Sequence, residues 1–137
     1  MLRRTLTLLL AFSLVLACSD SSGPDRGVVG TWRLQTIDGL PLPFSLPDPP
    51  VTSIEVTAEV ITLVASGRFT DVNTFRITDG SKITSETDNA QGSYVVNGST
   101  VTLTYDADGT VYTATVSGDT MTLYDPEIDL TFVYRRD

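Results

Sequence analysis

Two polar side chains share a spacing with large apolar ones in the third predicted strand. Asp71 and Asn73 alternate in phase with Phe69 and Phe75, and the period of two in a strand places such residues on one face. If that face points inward, a carboxylate and an amide lie among apolar walls, where they need partners or water. Such a cavity is the usual form of a small-molecule site. Alternatively, Val72 marks the inner face, or Asp71 lies at a wet rim.

The side chains that most often carry catalysis are scarce. The chain has no His and a single Cys, Cys18, so the common general bases and thiol nucleophiles are missing. Its 17 acidic residues could support glycoside hydrolysis only as two facing carboxylates in a cleft, with environments that separate their pKa values. The acids fall mostly in turns, and the sequence locates no such pair. We therefore predict a non-catalytic protein with no catalytic residues and no cofactor.

Two acidic turns carry oxygen ligands of the kind that calcium prefers. The run 106–109, Asp-Ala-Asp-Gly, superficially resembles a calcium loop, but no Glu stands at the closing position of an EF-hand. Asp-Gly is also a strong hairpin signal. Asp125, Glu127 and Asp129 form a second acidic turn with the same two interpretations. We interpret both as solvated turns and predict no metal site.

The first seventeen residues have the layout of an export signal. Arg3 and Arg4 precede an apolar run, and the segment ends in the small residue Ala17, which is the three-part pattern of a signal peptide. The apolar stretch 6–17 is shorter than the roughly 20 residues that a membrane-spanning helix needs. We expect residues 1–17 to be a cleaved signal peptide.

The four residues 15–18, Val-Leu-Ala-Cys, resemble the lipobox of bacterial lipoproteins. The resemblance implies that Cys18 becomes the acylated first residue and anchors the protein in the membrane. Residues 18–27 then form a flexible tether, and residues 28–137 the folded domain. Ser19 rather than Asp after the Cys implies, by the same resemblance, the outer membrane of the cell envelope, facing the periplasm. The alternative is an ordinary signal peptide with a chance Cys.

The charge balance restricts the partners of the protein. The net charge is −8, and cleavage after Ala17 would also remove Arg3 and Arg4. Such an acidic chain is poorly suited to nucleic acid or to electrostatic attachment to anionic lipid. Membrane residence is therefore expected to come from the acyl chains on Cys18, and we predict a monomer with no nucleic-acid partner.

Beyond the tether, the chain alternates apolar and polar residues with a period of two. β-Branched residues fill the runs, and Asn97-Gly98, Asp108-Gly109 and similar hairpin signals separate them. The apolar phase changes within the second run, which predicts a β-bulge near Val60. The predicted strands lie at about 29–37, 53–64, 67–78, 82–96, 99–106, 109–117, 119–125 and 129–136.

This pattern predicts an all-β fold, namely an eight-stranded antiparallel up-and-down β-barrel after the signal peptide. Closure of such a meander removes both exposed edges, and the short connections disfavour a Greek key. An open two-sheet sandwich is the alternative. The segment 39–50 holds five prolines and cannot lie inside a sheet. We expect it to be a stiff loop, with Phe44, near the mouth of the barrel.

Gly30-Thr31-Trp32 at the start of the first strand resembles the G-x-W signature of lipocalins and related calycin barrels. The resemblance implies a lipocalin-like domain in which Trp32 closes one end and an Arg of the last strand packs over it. Arg136 shares the phase of the apolar residues of that strand and is therefore favoured over Arg135. Gly30, Trp32 and Arg136 are thus the predicted barrel-closing residues.

The predicted function is non-catalytic binding of a small, partly apolar molecule inside the barrel. The alternative is an envelope-structural or protein-interaction module whose barrel is filled by side chains. This alternative is open because the interior of an eight-stranded barrel is only just wide enough for side chains to fill. The aromatic residues fit either interpretation. The predicted ligand-binding residues are Phe44, Phe69, Asp71, Asn73, Phe75, Tyr105, Tyr112 and Phe132.

Overall fold

A computed structural model describes residues 27–46 and 52–137 of the chain. The predicted signal peptide, Cys18 and all of the predicted tether except Gly27 lie outside these residues, as do residues 47–50 of the proline segment and residue 51. The described part contains no helix long and apolar enough to cross a membrane.

The described residues form ten β-strands. Eight of them are long and two consist of two residues each. The strands are β1 (Gly30–Ile37), β2 (Leu40–Pro41), β3 (Phe44–Ser45), β4 (Thr52–Leu63), β5 (Arg68–Asp79), β6 (Lys82–Asn97), β7 (Thr100–Tyr105), β8 (Val111–Ser117), β9 (Thr120–Asp125) and β10 (Leu130–Arg136).

The eight long strands close into a barrel. Each long strand pairs antiparallel with its neighbour in the chain, and β1 pairs with both β4 and β10, so the sheet has no open side at that point. The predicted all-β, eight-stranded antiparallel up-and-down barrel is confirmed, and the open sandwich is wrong. All eight predicted strands match a long strand, with bounds within two residues, because period-two alternation and Gly-containing turns mark both ends of each strand.

The proline segment takes part in the sheet more than we predicted. β2 pairs with the end of β1 and places Pro41 opposite Thr36, and β3 pairs with β4. Both short strands lie at the edges of the sheet, where a proline needs no ladder partner for its missing N–H. The expectation that the whole segment lies outside the sheet was therefore wrong.

The bulge in β4 lies earlier than predicted. The pairing of β4 with β5 shifts between Val56 and Ala58, and no shift occurs at Val60. One extra residue at this point resets the alternation. As a result, Val56 and Glu59, three positions apart, are both buried, whereas Ala58 is exposed.

The apolar core lies mainly in the half of the barrel around the start of β1, and Ile37 and Leu130 extend it toward the other end. It is built from one face of each long strand, and its fully buried large side chains include Trp32, Ile61, Leu63, Phe69, Val101, Leu103, Met121 and Tyr134. Outside the barrel wall, the first part of β6 pairs with β5 alone, and β7 joins only from Gly92 onward. The strands β4, β5 and β6 therefore extend past the barrel on one side.

Candidate functional site

The two ends of the barrel differ in what covers them. At one end, the start of β1 and the end of β10 meet the hairpins β4–β5, β6–β7 and β8–β9; we call it the closed end. At the other end, the hairpins β5–β6, β7–β8 and β9–β10 lie beside the short strands β2 and β3; we call it the mouth.

Trp32 plugs the closed end. Its side chain is fully buried, and its indole N–H donates a hydrogen bond of 2.9 Å to the carbonyl oxygen of Val28. The guanidinium carbon of Arg136 lies 4.6 Å from the centroid of the Trp32 ring, within the range of a cation–π contact. Pairing of β1 with β10 sets Trp32 opposite Arg136, so the sheet register itself brings the two side chains together.

Arg136 also fastens the chain that enters the barrel. Its Nη2 donates hydrogen bonds to the carbonyl oxygens of Gly27, at 2.6 Å, and Gly118, at 3.0 Å. Gly30 adopts a φ of 149°, and a Cβ there would lie 3.4 Å from Cδ of Arg136, so the glycine leaves room for the arginine stem. Arg135 points outward and is exposed. The structure thus places Gly30, Trp32 and Arg136 in one cluster at the closed end.

A cavity of about 440 Å³ occupies the other half of the barrel. Apolar side chains form most of its wall; Val56 and Leu123 lie in strands, and Leu46 and Ile128 lie in the connecting segments. Residues of the β7–β8 and β9–β10 hairpins line it as well, so the cavity reaches the mouth. The sequence-predicted residues that line it are Asp71, Asn73, Phe75, Tyr105, Tyr112 and Phe132.

Two predicted ligand-binding residues lie elsewhere. Phe69 is buried beneath the cavity, with its ring 5.0 Å from that of Tyr105 in an edge-to-face arrangement. Phe44 packs against the core and is paired with Val56. Leu46, two residues farther along the proline segment, is the one that lines the cavity. Neither Phe44 nor Phe69 therefore lines the cavity, because each side chain is used in core packing, and contact of either residue with a ligand stays a prediction.

Two carboxylates are buried in the wall of the cavity. Glu59 and Asp71 are 8% and 5% exposed. The hydroxyl of Tyr134 donates to Oε1 of Glu59 at 2.7 Å, and the hydroxyl of Tyr105 donates to Oδ2 of Asp71 at 2.7 Å. The second oxygen of Asp71, Oδ1, is buried and has no hydrogen-bond partner in the described part of the chain.

Burial makes both carboxyl groups harder to ionise. Desolvation first, and then the charge of Asp71, raise the pKa of Glu59 to about 8, although hydrogen bonds from Tyr134 and Asn73 oppose the shift. Desolvation also raises the pKa of Asp71, against the hydrogen bond from Tyr105. The pair resembles other sites in which two acids in a dry environment cannot both be charged at neutral pH.

Glu59 is the residue that the sequence did not reveal. A bulge near Val60 would have kept Ala58 on the inner face, and Glu59 on the outer one. The actual bulge, between Val56 and Ala58, turns Glu59 inward. Glu59 then pairs with Asn73, two residues from Asp71 on the adjacent strand, which makes it a diagonal neighbour of Asp71 on the same face. A buried acid pair is thus present where the sequence alone had located none.

All charged residues that line the cavity are acidic. Besides Glu59 and Asp71, they are Asp108 and Asp125 in the hairpins at the mouth, and no Lys or Arg of the described chain takes part. The described residues contain no group of three or more His, Cys, Asp or Glu side chains that could hold a metal ion. The site can therefore offer hydrogen-bond acceptors and negative charge to a small molecule.

A family model described as a lipocalin-like domain matches residues 28–123, and no curated protein matches the chain. Among solved structures, a mutant of the fluorescent protein UnaG is 14% identical, with 81% of this chain and 96% of that chain covered and a TM-score of 0.35. Fatty-acid-binding protein 1 of Echinococcus granulosus is 12% identical, with 80% and 97% covered and the same TM-score of 0.35.

Proposed function

The chain belongs to the lipocalin-like domain family, and from this premise we propose that it binds a small, partly apolar molecule in the barrel cavity without catalysing a reaction. The cavity of about 440 Å³ carries the proposal. Protein interiors are close-packed, and an empty space of this kind forfeits dispersion contacts. Apolar walls with a few inward polar groups match the general form of a ligand site.

The filled-barrel alternative receives less support. The closed half of the barrel is packed by Trp32, Leu103, Met121 and other large side chains, as an interaction module would need. The half toward the mouth is not filled, although Phe75, Tyr112 and Phe132 stand around it. A barrel that served only as a rigid scaffold would gain stability from larger side chains at these positions.

Catalysis is a second candidate, and only the acid pair favours it. Two buried carboxylates in one cavity are the starting requirement for glycoside hydrolysis. Glu59 and Asp71, however, project as diagonal neighbours from one wall, whereas hydrolysis needs the two groups on either side of the scissile bond. Hydrolysis of nitrophenyl glycosides by the purified protein, abolished by Glu59→Gln, would overturn the non-catalytic proposal.

We further propose that the protein is anchored by acylated Cys18 in the outer membrane and faces the periplasm. The lipobox-like run 15–18 supports the anchor. The structure describes none of these residues. Arg136 holds Gly27 at the closed end, which supports a tether that enters the domain there. The mouth therefore opens on the side opposite to the attachment point.

Native mass spectrometry tests the binding proposal directly. The full-length protein is extracted from the envelope of its own host in mild detergent and is measured intact and after denaturation. We expect a reproducible extra mass, beyond the acyl chains, that is lost on denaturation. A bare acylated polypeptide from several gentle extractions would instead favour the interaction module.

A further inference from the structure

We propose that the ligand carries a cationic, ammonium-type head group, which binds between Glu59 and Asp71, and an apolar body that extends toward the mouth. This inference rests on the proposed binding function and specifies the chemical class of the ligand.

The charge of the site is the first reason. The four charged residues that line the cavity are all acidic, and they lie both at its base and at its mouth. An anionic head group would lie beside buried negative charge with no Lys or Arg of the described chain to compensate it. Because electrostatic interactions strengthen where water is excluded, this arrangement selects strongly against carboxylate ligands and in favour of cations.

The unpartnered oxygen of Asp71 is the second and independent reason. Asp71 is 5% exposed, and its Oδ1 lacks a hydrogen-bond donor while Tyr105 occupies Oδ2. Buried acceptors without a donor are rare in folded proteins, and each is destabilising. An ammonium group has three N–H donors and no acceptor. Bound between Glu59 and Asp71, which both line the cavity, an ammonium group would supply the donor that this oxygen lacks.

The protonation of Glu59 and Asp71 suits a ligand head group with a single positive charge. Desolvation and the charge of Asp71 raise the pKa of Glu59 to about 8, and desolvation raises that of Asp71 too, so the pair resists carrying two negative charges and suits a singly charged cation. The other side chains that face the pair are the amide of Asn73 and the hydroxyls of Tyr105 and Tyr134, and burial raises the pKa values of both tyrosines. The hydroxyl of Tyr112 lies beside Asp125 instead, and burial raises the pKa of Tyr112 as well. A bound cation would lower the pKa of Glu59 and displace its proton.

A matched series of head groups tests the inference. Octylamine, octanol and octanoate share one apolar tail and differ in charge at pH 7. Calorimetric titration of the mature chain, residues 18–137 with Cys18→Ser to avoid detergent, measures each affinity. We expect octylamine to bind most tightly, octanoate at least tenfold more weakly than octylamine, and octanol in between.

Variants assign the preference to the acid pair. The double variant Glu59→Gln, Asp71→Asn keeps the shape of both side chains and removes their charge. It should bind octanol as the parent does and lose the preference for octylamine over octanoate. The control, Glu86→Gln with Asp88→Asn, removes the same charges from the exposed part of β6 and should keep the preference. Circular dichroism checks that each variant is folded.

Proton release gives a second readout. Octylamine binding at pH 7, measured in buffers of different ionisation enthalpy, should release a fraction of a proton from Glu59, and octanol binding should release none. Octanol binding combined with equal or tighter binding of octanoate than octylamine would overturn the cation inference and leave the binding function intact. Failure of all three ligands to bind would overturn both.

Discussion

Glu59 and Asp71 are costly residues to keep inside a small barrel. Removing a carboxylate from water is unfavourable unless partners compensate it, and each here has only partial compensation: a tyrosine hydroxyl on one oxygen, with an amide from Asn73 beside Glu59. Ionisable groups with raised pKa values in a cavity are more often found at functional sites than in inert cores. Their presence therefore supports the proposal that they take part in ligand recognition.

The raised pKa of Glu59 predicts how stability depends on pH. Its folded-state pKa of about 8 lies above its ordinary value of 4.5, so the folded state holds a proton that the unfolded state loses. The free energy of unfolding should fall as the pH rises from about 5 to 8. Glu59→Gln should flatten this slope and stabilise the protein at pH 8 by on the order of a few kcal/mol. Urea unfolding across this range, with Glu86→Gln as control, measures the effect.

Trp32 is predicted to be a large contributor to stability at the closed end. Its side chain is fully buried and its indole N–H is satisfied by Val28. Trp32→Ala should lower the free energy of unfolding by about 3–5 kcal/mol, measured by urea denaturation. An unchanged midpoint would mean that the indole does not plug the barrel in solution.

The two final arginines form a matched pair for a second test. Arg136 contacts the Trp32 ring and bonds two carbonyl oxygens, whereas Arg135 is exposed and meets Thr120. Arg136→Ala should cost about 1–3 kcal/mol, and Arg135→Ala less than about 0.5 kcal/mol. Equal losses in the two variants would contradict the role given to Arg136.

At the scale of strands, β4 and β5 show what the sequence can and cannot provide. β5 has no bulge of its own, so Asp71 and Asn73 fall on the same face as Phe75 in the sequence and in the structure. β4 contains a bulge, and apolar residues on both sides of Val60 were consistent with several positions for it. Bulge position depends on pairing with the neighbouring strand, which a single sequence does not display. Because the bulge lies between Val56 and Ala58 and not near Val60, the sequence did not predict that Glu59 faces inward.

Gly92 shows a second feature that only the assembled sheet reveals. A Cβ on Gly92 would lie 2.0 Å from the carbonyl oxygen of Thr104 and 2.6 Å from the ring of Phe69. Gly92→Ala should therefore destabilise the protein by about 1–3 kcal/mol, with the backbone contact pushing toward the upper end. Gly109 has open space around its Cβ position and a φ of 73°. Gly109→Ala should cost about 1 kcal/mol, and thermal unfolding of both variants compares them.

The first part of β6 is the exposed edge of the sheet. Residues 82–90 pair only with β5 among the described residues. Lys82, Glu86 and Asp88 lie along it, and charged side chains at such an edge hinder its pairing with other chains. The edge is thus protected against pairing, and the monomeric state stays a prediction.

At the scale of the whole molecule, the closed end and the proposed anchor define an orientation. Nine peptide bonds separate Cys18 from Gly27, and an extended chain of that length spans at most about 30 Å. The domain would then remain close to the membrane, with its closed end facing the membrane and its mouth facing the periplasm.

Fluorescence transfer to labelled lipid tests this orientation. A dye on Ala107→Cys, at the mouth, should lie farther from the lipid acceptor than a dye on Ser99→Cys, in the β6–β7 hairpin of the closed end. The sample is the acylated mature protein, residues 18–137, in vesicles. Cys18→Ser should leave the protein without acyl mass and out of the membrane fraction; continued membrane association with the acyl mass present would contradict the anchor.

The closed end also brings the two ends of the described chain together. Arg136 bonds the carbonyl oxygen of Gly27, and the N–H of Asp137 donates to the carbonyl oxygen of Thr31. The first and last residues of the described chain therefore lie close together at the same end of the barrel. A circular permutant, joined by a short linker across this point and opened in the exposed β5–β6 turn, would keep every long-strand pairing. For biosensor design, this allows a reporter to be attached beside the mouth rather than at the sealed end.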